Sequence, residues 1–417
     1  MTSYLYNMKY NNSLPVTSYE LEQTSNRIMA FLSGNNVVVY KIDYDAGASV
    51  SLFKVYLESK RQISRMMANA DNLARTLGTV GIRIFRMEEY IGVEVPNEHR
   101  SVVPLNGILE DKTFRESEAA LPVALGRDTG GRVVAFDLAE APNLLIAGVT
   151  KQGKSVAVNT LIASLLVSSE PEEVKFVLID PKRAEFSIYE GLANSYLFSK
   201  PSQNSCVVSK PEDAEIILGT LRMETERRYE ILSNYGARGI KSLPRIVIIF
   251  DEYTDYTLMS RPFKKRAGII MCLLINLARE GHPVGIHLVI TTQRPSIDSI
   301  PSVLKAYFPT RLAFRVGRSI DSFAIIDQRG AECLIGNGDM LFQQGSLITR
   351  VQGAYTSTDE VKTIVDRIAT RHNSIPTSHG SCTILGGDRD VPFFGRRLFC
   401  HRILYPDNSC SSVALSQ

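Results

Sequence analysis

Three groups of residues in this chain have types and spacings suited to chemistry. The first is Gly148-Val149-Thr150-Lys151-Gln152-Gly153-Lys154-Ser155, a G-x-x-x-x-G-K-S loop. It lies between the apolar Leu144-Leu145-Ile146-Ala147 and a run of small and apolar residues from Val156 to Leu166. Such a loop turns its amides inward around a phosphate, and the start of the following helix adds partial positive charge. Gly148 and Gly153 permit the backbone angles this needs. Lys154 brings a point charge to the β- and γ-phosphates, and the Ser155 hydroxyl suits Mg²⁺. Residues Gly148 through Val156 are therefore expected to bind a nucleoside triphosphate, with ATP and Mg²⁺ as the ligands.

The second group is Asp251-Glu252, which follows the apolar run Ile246-Val247-Ile248-Ile249-Phe250. An acid closing a strand downstream of a phosphate loop can hold the water shell of Mg²⁺, so Asp251 takes that role. Glu252 is then the base that orients and deprotonates the attacking water. Gln293, at the tip of the stretch from Ile286, is placed to hydrogen-bond the γ-phosphate or that water. The third group is a concentration of cations. Residues 294–318 hold Arg294, Lys305, Arg311, Arg315 and Arg318 against the single acid Asp298, a local charge of +4. Two readings stay open here: contact with a nucleic-acid backbone, or arginines that face a neighbouring subunit's nucleotide.

These groups need a scaffold, and the apolar pattern supplies one. From Leu121 onward strands alternate with helices, as in a parallel sheet covered on both faces. Its strands are expected before the phosphate loop, at Val174–Asp180, before Asp251, at Ile286–Gln293 and at Arg311–Val316. Long helices are expected at Pro211–Ser233 and over Gly268–Ala278. Upstream, Leu21–Leu32 has helical spacing, Asn36–Tyr44 and Val50–Leu57 read as strands, and Lys60–Leu77 reads as one helix. Ile82–Phe85 and Ile91–Val95 suggest a hairpin. The fold class is thus α/β, a P-loop NTPase domain with a parallel-type central sheet, preceded by a small α+β domain. The expected division is an extension over residues 1–20, the small domain over 21–120, the ATPase domain over 121–369 and a tail over 370–417.

Composition narrows the function classes. With 47 Lys and Arg against 44 Asp and Glu, the net charge of +3 names no partner, so any nucleic-acid surface must be local. Hydrophobic residues make up 44% of the chain and charged residues 22%, as in a globular protein with real cores. No apolar run reaches the ~18 residues of a membrane span, and the amino terminus lacks a signal-peptide pattern. The six cysteines form no C-x-x-C pair and read as reduced thiols. His379, Cys382, Cys400, His401 and Cys410 fit no zinc-ligand spacing. A cytoplasmic protein is expected.

Several motifs together resemble the FtsK/SpoIIIE family of DNA translocases. The family's phosphate-loop segment is similar to LLIAGVTKQGKSVAVN here, and its I-D-P-K…Y-E-G segment to Ile179-Asp180-Pro181-Lys182 through Tyr189-Glu190-Gly191. Its E-R-R-Y helix resembles Glu226-Arg227-Arg228-Tyr229, and its G-I-H-L…T-Q-R-P-S segment resembles Gly285 through Ser296. The long block D-Q-x-G-A-E-x-L-(L/I)-G-x-G-D-M-L stands here as Asp327 through Leu341. The small domain resembles the family's α domain at Asn72-Leu73-Ala74-Arg75 and Val93-Glu94-Val95-Pro96-Asn97.

The resemblance implies a hexameric ring, each subunit an α domain plus a RecA-like ATPase domain, that encircles double-stranded DNA and moves along it as ATP is hydrolysed between subunits. On that view Lys305, Arg315 and Arg318 are expected to contact DNA. The family usually carries an arginine before G-I-H-L that reaches the adjacent site, and another in its D-S-R-T-I-L-D segment. His282 and Phe323 stand at those positions, which makes Arg279 the candidate for the trans-acting arginine. The family's membrane-spanning part and winged-helix γ domain find no counterpart, and residues 370–417 do not resemble the latter. A stripped-down motor serving transfer or segregation of a mobile element is the expectation. An FtsK-like ATPase of a protein secretion system, or a chromosome-segregation motor, is the alternative.

Overall fold

The computed structural model describes residues 16–193, 195–198, 206–258, 264–296 and 299–373. Most of the expected extension, Asp298 and the His- and Cys-bearing stretch beyond 373 lie outside the described residues. The chain divides into two units, residues 1–169 with 291–364, and residues 170–290 with 365–417.

The first unit begins with the small α+β module. Its strands β1 (Val39–Asp45), β2 (Val50–Leu57), β3 (Arg83–Arg86) and β4 (Ile91–Pro96) form an antiparallel sheet in the order β1-β2-β4-β3. Alternation along β2 and β4 sends Phe53, Val55, Ile91, Val93 and Val95 into a core with Ile28, Leu32, Met66 and Leu73 from the covering helices. The helix expected over Lys60–Leu77 is broken. Helices Ile63–Ala68 and Ala70–Leu77 meet at Asn69, whose side-chain amide donates to the Arg65 carbonyl and whose backbone leaves the helical range. An asparagine that bonds its own backbone competes with the helical ladder, and here it ends one helix and starts the next.

Ten strands follow: β5 (Pro122–Asp128), β6 (Val133–Asp137), β7 (Asn143–Ala147), β8 (Val174–Ile179), β9 (Val207–Val208), β10 (Arg245–Phe250), β11 (Ile286–Thr292), β12 (Thr310–Phe314), β13 (Asp339–Gln344) and β14 (Leu347–Gly353). In the first unit they lie in the order β6-β5-β14-β13-β12-β7, and in the second in the order β11-β10-β8-β9. The pairs β7–β12, β10–β11, β8–β10 and β8–β9 are parallel, as the alternating pattern predicts.

Strands β5, β6, β13 and β14 extend the sheet antiparallel, which the sequence reading did not anticipate. The cause is connection length, because a parallel neighbour requires a crossover of a dozen residues or so. Only Gly345-Ser346 separates β13 from β14, with Gly345 at φ 60°. Between β5 and β6 the Asp128 carboxylate closes the turn by accepting the amides of Gly130 and Arg132.

Helix Lys154–Ser168 buries Val158, Leu161, Ile162, Leu165 and Leu166. In the second unit helix Pro211–Lys241 runs longer than predicted and is interrupted at Gly236, which leaves helical geometry at φ 64°. Helix Lys264–Glu280 packs against it. No helix among the described residues is long and apolar enough to cross a membrane.

Candidate nucleotide site and its surroundings

Strand β7 is fully buried and delivers the chain to Gly148 at its carboxyl end. There the amide of Gly148 donates to the Thr292 carbonyl, and that of Val149 donates to the Arg315 carbonyl, at 3.3 and 3.1 Å. The loop thus starts clamped between the ends of two other segments. Gly148 sits at φ 154°, and a Cβ there would lie 2.6 Å from the Phe314 Cβ. Gly153 sits at φ 114°, and a Cβ there would lie 2.9 Å from the Gly338 Cα. Both positions demand glycine for conformation and for space.

Gly153 caps helix Lys154–Ser168, so the free amides of the first turn face the loop. The Lys154 side chain is 7% exposed, and its ammonium donates to the carbonyls of Gly148 and Val149 at 2.6 and 2.7 Å. A single cation held inside a ring of backbone groups is the arrangement that receives a polyphosphate. Ser155 follows it on the first turn of the helix, and Val156 is half-buried behind it. Thr150 and Lys151 form the exposed outer rim, with Lys151 at φ 60°.

In the second unit Asp251 extends β10, its amide donating to the Ile179 carbonyl at 2.9 Å. Glu252 then departs from the strand at φ 46°, a left-handed conformation that costs energy for a side chain with a Cβ. It is 2% exposed, and the Thr254 hydroxyl donates to its carboxylate. A strained backbone and a fixed carboxylate suit a base that must hold one orientation. Sequence reasoning missed Thr254. A hydroxyl two residues past an acid is the only trace it leaves, and that is too common to single out. The acid that closes β8, Asp180, has a different task. Its carboxylate accepts the amides of Lys182, Glu185 and Phe186, which shapes the turn after β8.

Gln293 stands immediately beyond Thr292, the residue whose carbonyl receives the Gly148 amide. Arg279 lies on the last turn of helix Lys264–Glu280. Its side chain is 52% exposed, paired with Glu280 and donating to the Asn276 amide oxygen. His282 is half-buried, its ring edge-on to that of His287 with centroids 5.7 Å apart.

Residues 104–245 match the FtsK/SpoIIIE family, and residues 3–97 match the FtsK alpha domain. The chain is 38% identical over 395 residues to the DNA translocase FtsK of Haemophilus influenzae, spanning 85% of this chain and 72% of that one. The chain belongs to the FtsK/SpoIIIE family. With that loop and fold it is a P-loop ATPase of the family. To the DNA translocase FtsK of Caldanaerobacter subterraneus it is 38% identical over 342 residues, 79% of this chain and 46% of that one. It spans less than half the length of several such relatives.

Two solved structures share the fold. The pCW3 conjugation coupling protein TcpA, in its monomer form with ATPgS, superposes with a TM-score of 0.58 at 21% identity, over 84% of this chain and 99% of that one. The cytoplasmic domain of the type VII secretion ATPase EccC of Thermomonospora curvata gives 0.53 at 22% identity, over 70% of this chain and 36% of that one.

The cationic segment of this FtsK-family chain divides into two sets. Lys305 donates to the carbonyls of Phe323 and Ala324 at 3.1 Å and pairs with Asp327 at 2.6 Å, with its side chain 16% exposed. Arg311 is buried, donating to the carbonyls of Phe308 and Ile325 and to Asp327. These two cations hold the end of helix Ser319–Ile326 onto β12, so the Lys305 ammonium, expected to contact DNA, is instead engaged within the fold. Arg294, Arg315 and Arg318 are exposed. Arg318 pairs with Asp321 at 2.9 Å, and Arg315 sits beside the phosphate loop through its bonded carbonyl.

Proposed function

We propose that this chain is an ATP-driven motor that moves along double-stranded DNA, assembled as a hexameric ring. The observation that carries the reading is the loop Gly148–Ser155 closed around Lys154, in a chain of the FtsK/SpoIIIE family. Lys154 holds the phosphates, and Glu252, fixed by Thr254, orients and deprotonates the attacking water. Gln293 contacts the γ-phosphate or that water. Ser155 and Asp251 supply a hydroxyl and a carboxylate, hard oxygen donors of the kind Mg²⁺ favours alongside phosphate oxygens and water. When bound, Mg²⁺ neutralises charge on the phosphates. Arg279 serves a neighbouring subunit, where a cation is needed against developing charge. The relatives named DNA translocases support DNA as the track, and the exposed Arg294 and Arg318 are the cations available to meet it, while Arg315 stands at the phosphate loop.

The test is ATP hydrolysis with and without duplex DNA of several unrelated sequences, with Lys154→Ala as control. Stimulation by every duplex, combined with DNA-dependent displacement of a third strand, supports the reading. ATP hydrolysis that no duplex alters would remove DNA as the track while leaving the ATPase in place.

A further inference from the structure

The loop that presses on the phosphate loop is itself held by a buried charge cluster reaching into the amino-terminal module. Gly336, Asn337 and Gly338 run at φ 84°, 53° and 89°, three successive left-handed residues. Glycine enters this region without strain but is free to leave it, so the segment keeps one shape only through the contacts that hold it. On one side the Gly338 amide donates to the Gln152 carbonyl at 3.0 Å, and Gly338 lies so near Gly153 that a Cβ on Gly153 would come within 2.9 Å of the Gly338 Cα. On the other side the Gly338 carbonyl accepts the Gly353 amide, and the Gln352 side chain donates to the Asn337 carbonyl.

The anchor is Asp339. One of its oxygens accepts the Ile335 amide at 2.8 Å, which ties off the base of the loop. Both oxygens also take the fork of Arg350, at 3.0 and 2.7 Å. The remaining donor of Arg350 bonds Glu94 and the carbonyl of Gly81, both at 3.2 Å. Glu94 in turn accepts from Arg83 at 3.1 Å. Arg350, Asp339 and Glu94 are each nearly inaccessible to water. Burial disfavours the charged guanidinium, but the two carboxylates more than offset this, so Arg350 stays charged. Glu94, Gly81 and Arg83 belong to the small module, whereas Asp339 and Arg350 belong to β13 and β14.

We propose that Arg350 is a positioning residue for ATP binding. It ties Glu94 and Gly81 of the amino-terminal module to Asp339, which fixes the 336–338 loop against Gln152 and Gly153. The module thereby sets how tightly the phosphate loop holds its nucleotide. The proposal rests on the nucleotide-binding reading of that loop. It explains why a polar cluster survives in a place where apolar packing would serve stability at least as well.

The test is a fluorescent ATP analogue titrated against the full chain, with steady-state ATPase and thermal melting alongside. Glu94→Gln keeps the volume and leaves the Arg350–Asp339 fork in place. We expect it to weaken analogue binding by about tenfold, within the usual range for coupled sites, and to raise KM for ATP in parallel. At saturating ATP, kcat should change less. Arg350→Lys, which keeps the charge and loses the fork, should weaken binding similarly, and Glu94→Asp should restore most of the affinity. A lowered melting temperature with unchanged affinity in folded Glu94→Gln would assign the cluster to stability alone and overturn the proposal. If Arg350→Lys fails to fold, Glu94→Gln and Glu94→Asp still decide. If the unmodified chain bound no analogue, the nucleotide reading would fall instead.

Discussion

The Lys305 ammonium and the Arg311 guanidinium each lie 2.6 Å from one oxygen of the Asp327 carboxylate, so one acid locks two cations. Asp327 ends helix Ser319–Ile326 in the left-handed region at φ 60°. Burial alone would raise its pKa, but the bonds from Lys305 and Arg311 hold it below the usual carboxylate value. Lys305→Ala removes this lock and frees two carbonyls. It should cost about 1–3 kcal/mol of stability, read as a lower melting temperature. The salt dependence of DNA binding should not change. A slope reduced by a full unit in a stably folded variant would return Lys305 to the DNA surface.

Arg318 and Arg315 should separate in the same assays. Arg318→Ala should weaken duplex binding equally for unrelated sequences and reduce the salt slope by about one unit, as the loss of one phosphate contact does. Arg315 follows β12 at the edge of the phosphate loop, so Arg315→Ala should lower ATP turnover and leave the salt slope alone. Reversed outcomes would exchange the two roles.

Glu252→Gln should retain ATP binding and lose at least about a hundredfold in turnover, because shape survives while the base is gone. Thr254→Val removes only the hydroxyl that fixes the carboxylate, and a smaller fall in kcat with unchanged nucleotide affinity is expected. Normal kcat in Glu252→Gln would remove it as the base.

Arg279→Ala should depress hydrolysis with little effect on nucleotide binding, if its target is a neighbour's phosphates. Mixing Arg279→Ala with Lys154→Ala subunits should then restore part of the activity, since each supplies what the other lacks. A monomer with full DNA-stimulated ATPase, shown by sedimentation, would sink the trans role.

Acid stability should depend on Glu224. Burial pushes this carboxyl up, yet hydrogen bonds from Arg227 and Arg228 outweigh burial and lower its pKa. A depressed folded value means its contribution is present above the unfolded carboxyl range, about 4.3, and is lost as pH falls through the folded value. Arg228 also donates to the carbonyls of Val284 and Pro244, so the pair joins helix Pro211–Lys241 to the segments flanking β10 and β11. Glu224→Gln should therefore cost about 3 kcal/mol near neutral pH and flatten the loss of stability below pH about 4. An acid limb as steep as the unmodified chain's would show that other groups control it.

The phosphate loop and the parallel strands were legible because each rests on local chemistry. A glycine pair with a lysine, and apolar runs closing in acids, carry their meaning within a dozen residues. The break at Asn69 was hidden because the apolar spacing continues through it while one side chain bonds its own backbone. The roles of Lys305 and Arg311 were hidden for a different reason. A lysine that caps a helix 18 residues away looks, in sequence, like a lysine facing solvent. The cluster of Glu94 and Arg350 joins residues 256 apart, and no periodicity records such a pairing.

The antiparallel half of the sheet has a consequence for how many parts of the chain can address the nucleotide. A purely parallel sheet offers its catalytic edge only strand endings, each followed by a loop. Strand β13 runs against β12, with Met340 opposite Phe314, so it begins at the edge where β7 and β12 finish. Strand β14 returns there, with Gln352 opposite Asp339. The same edge is thus served by a strand's entrance and by a hairpin's exit. The far turn at Gly345 is therefore joined by two paired strands to the loop whose Gly338 amide bonds the Gln152 carbonyl.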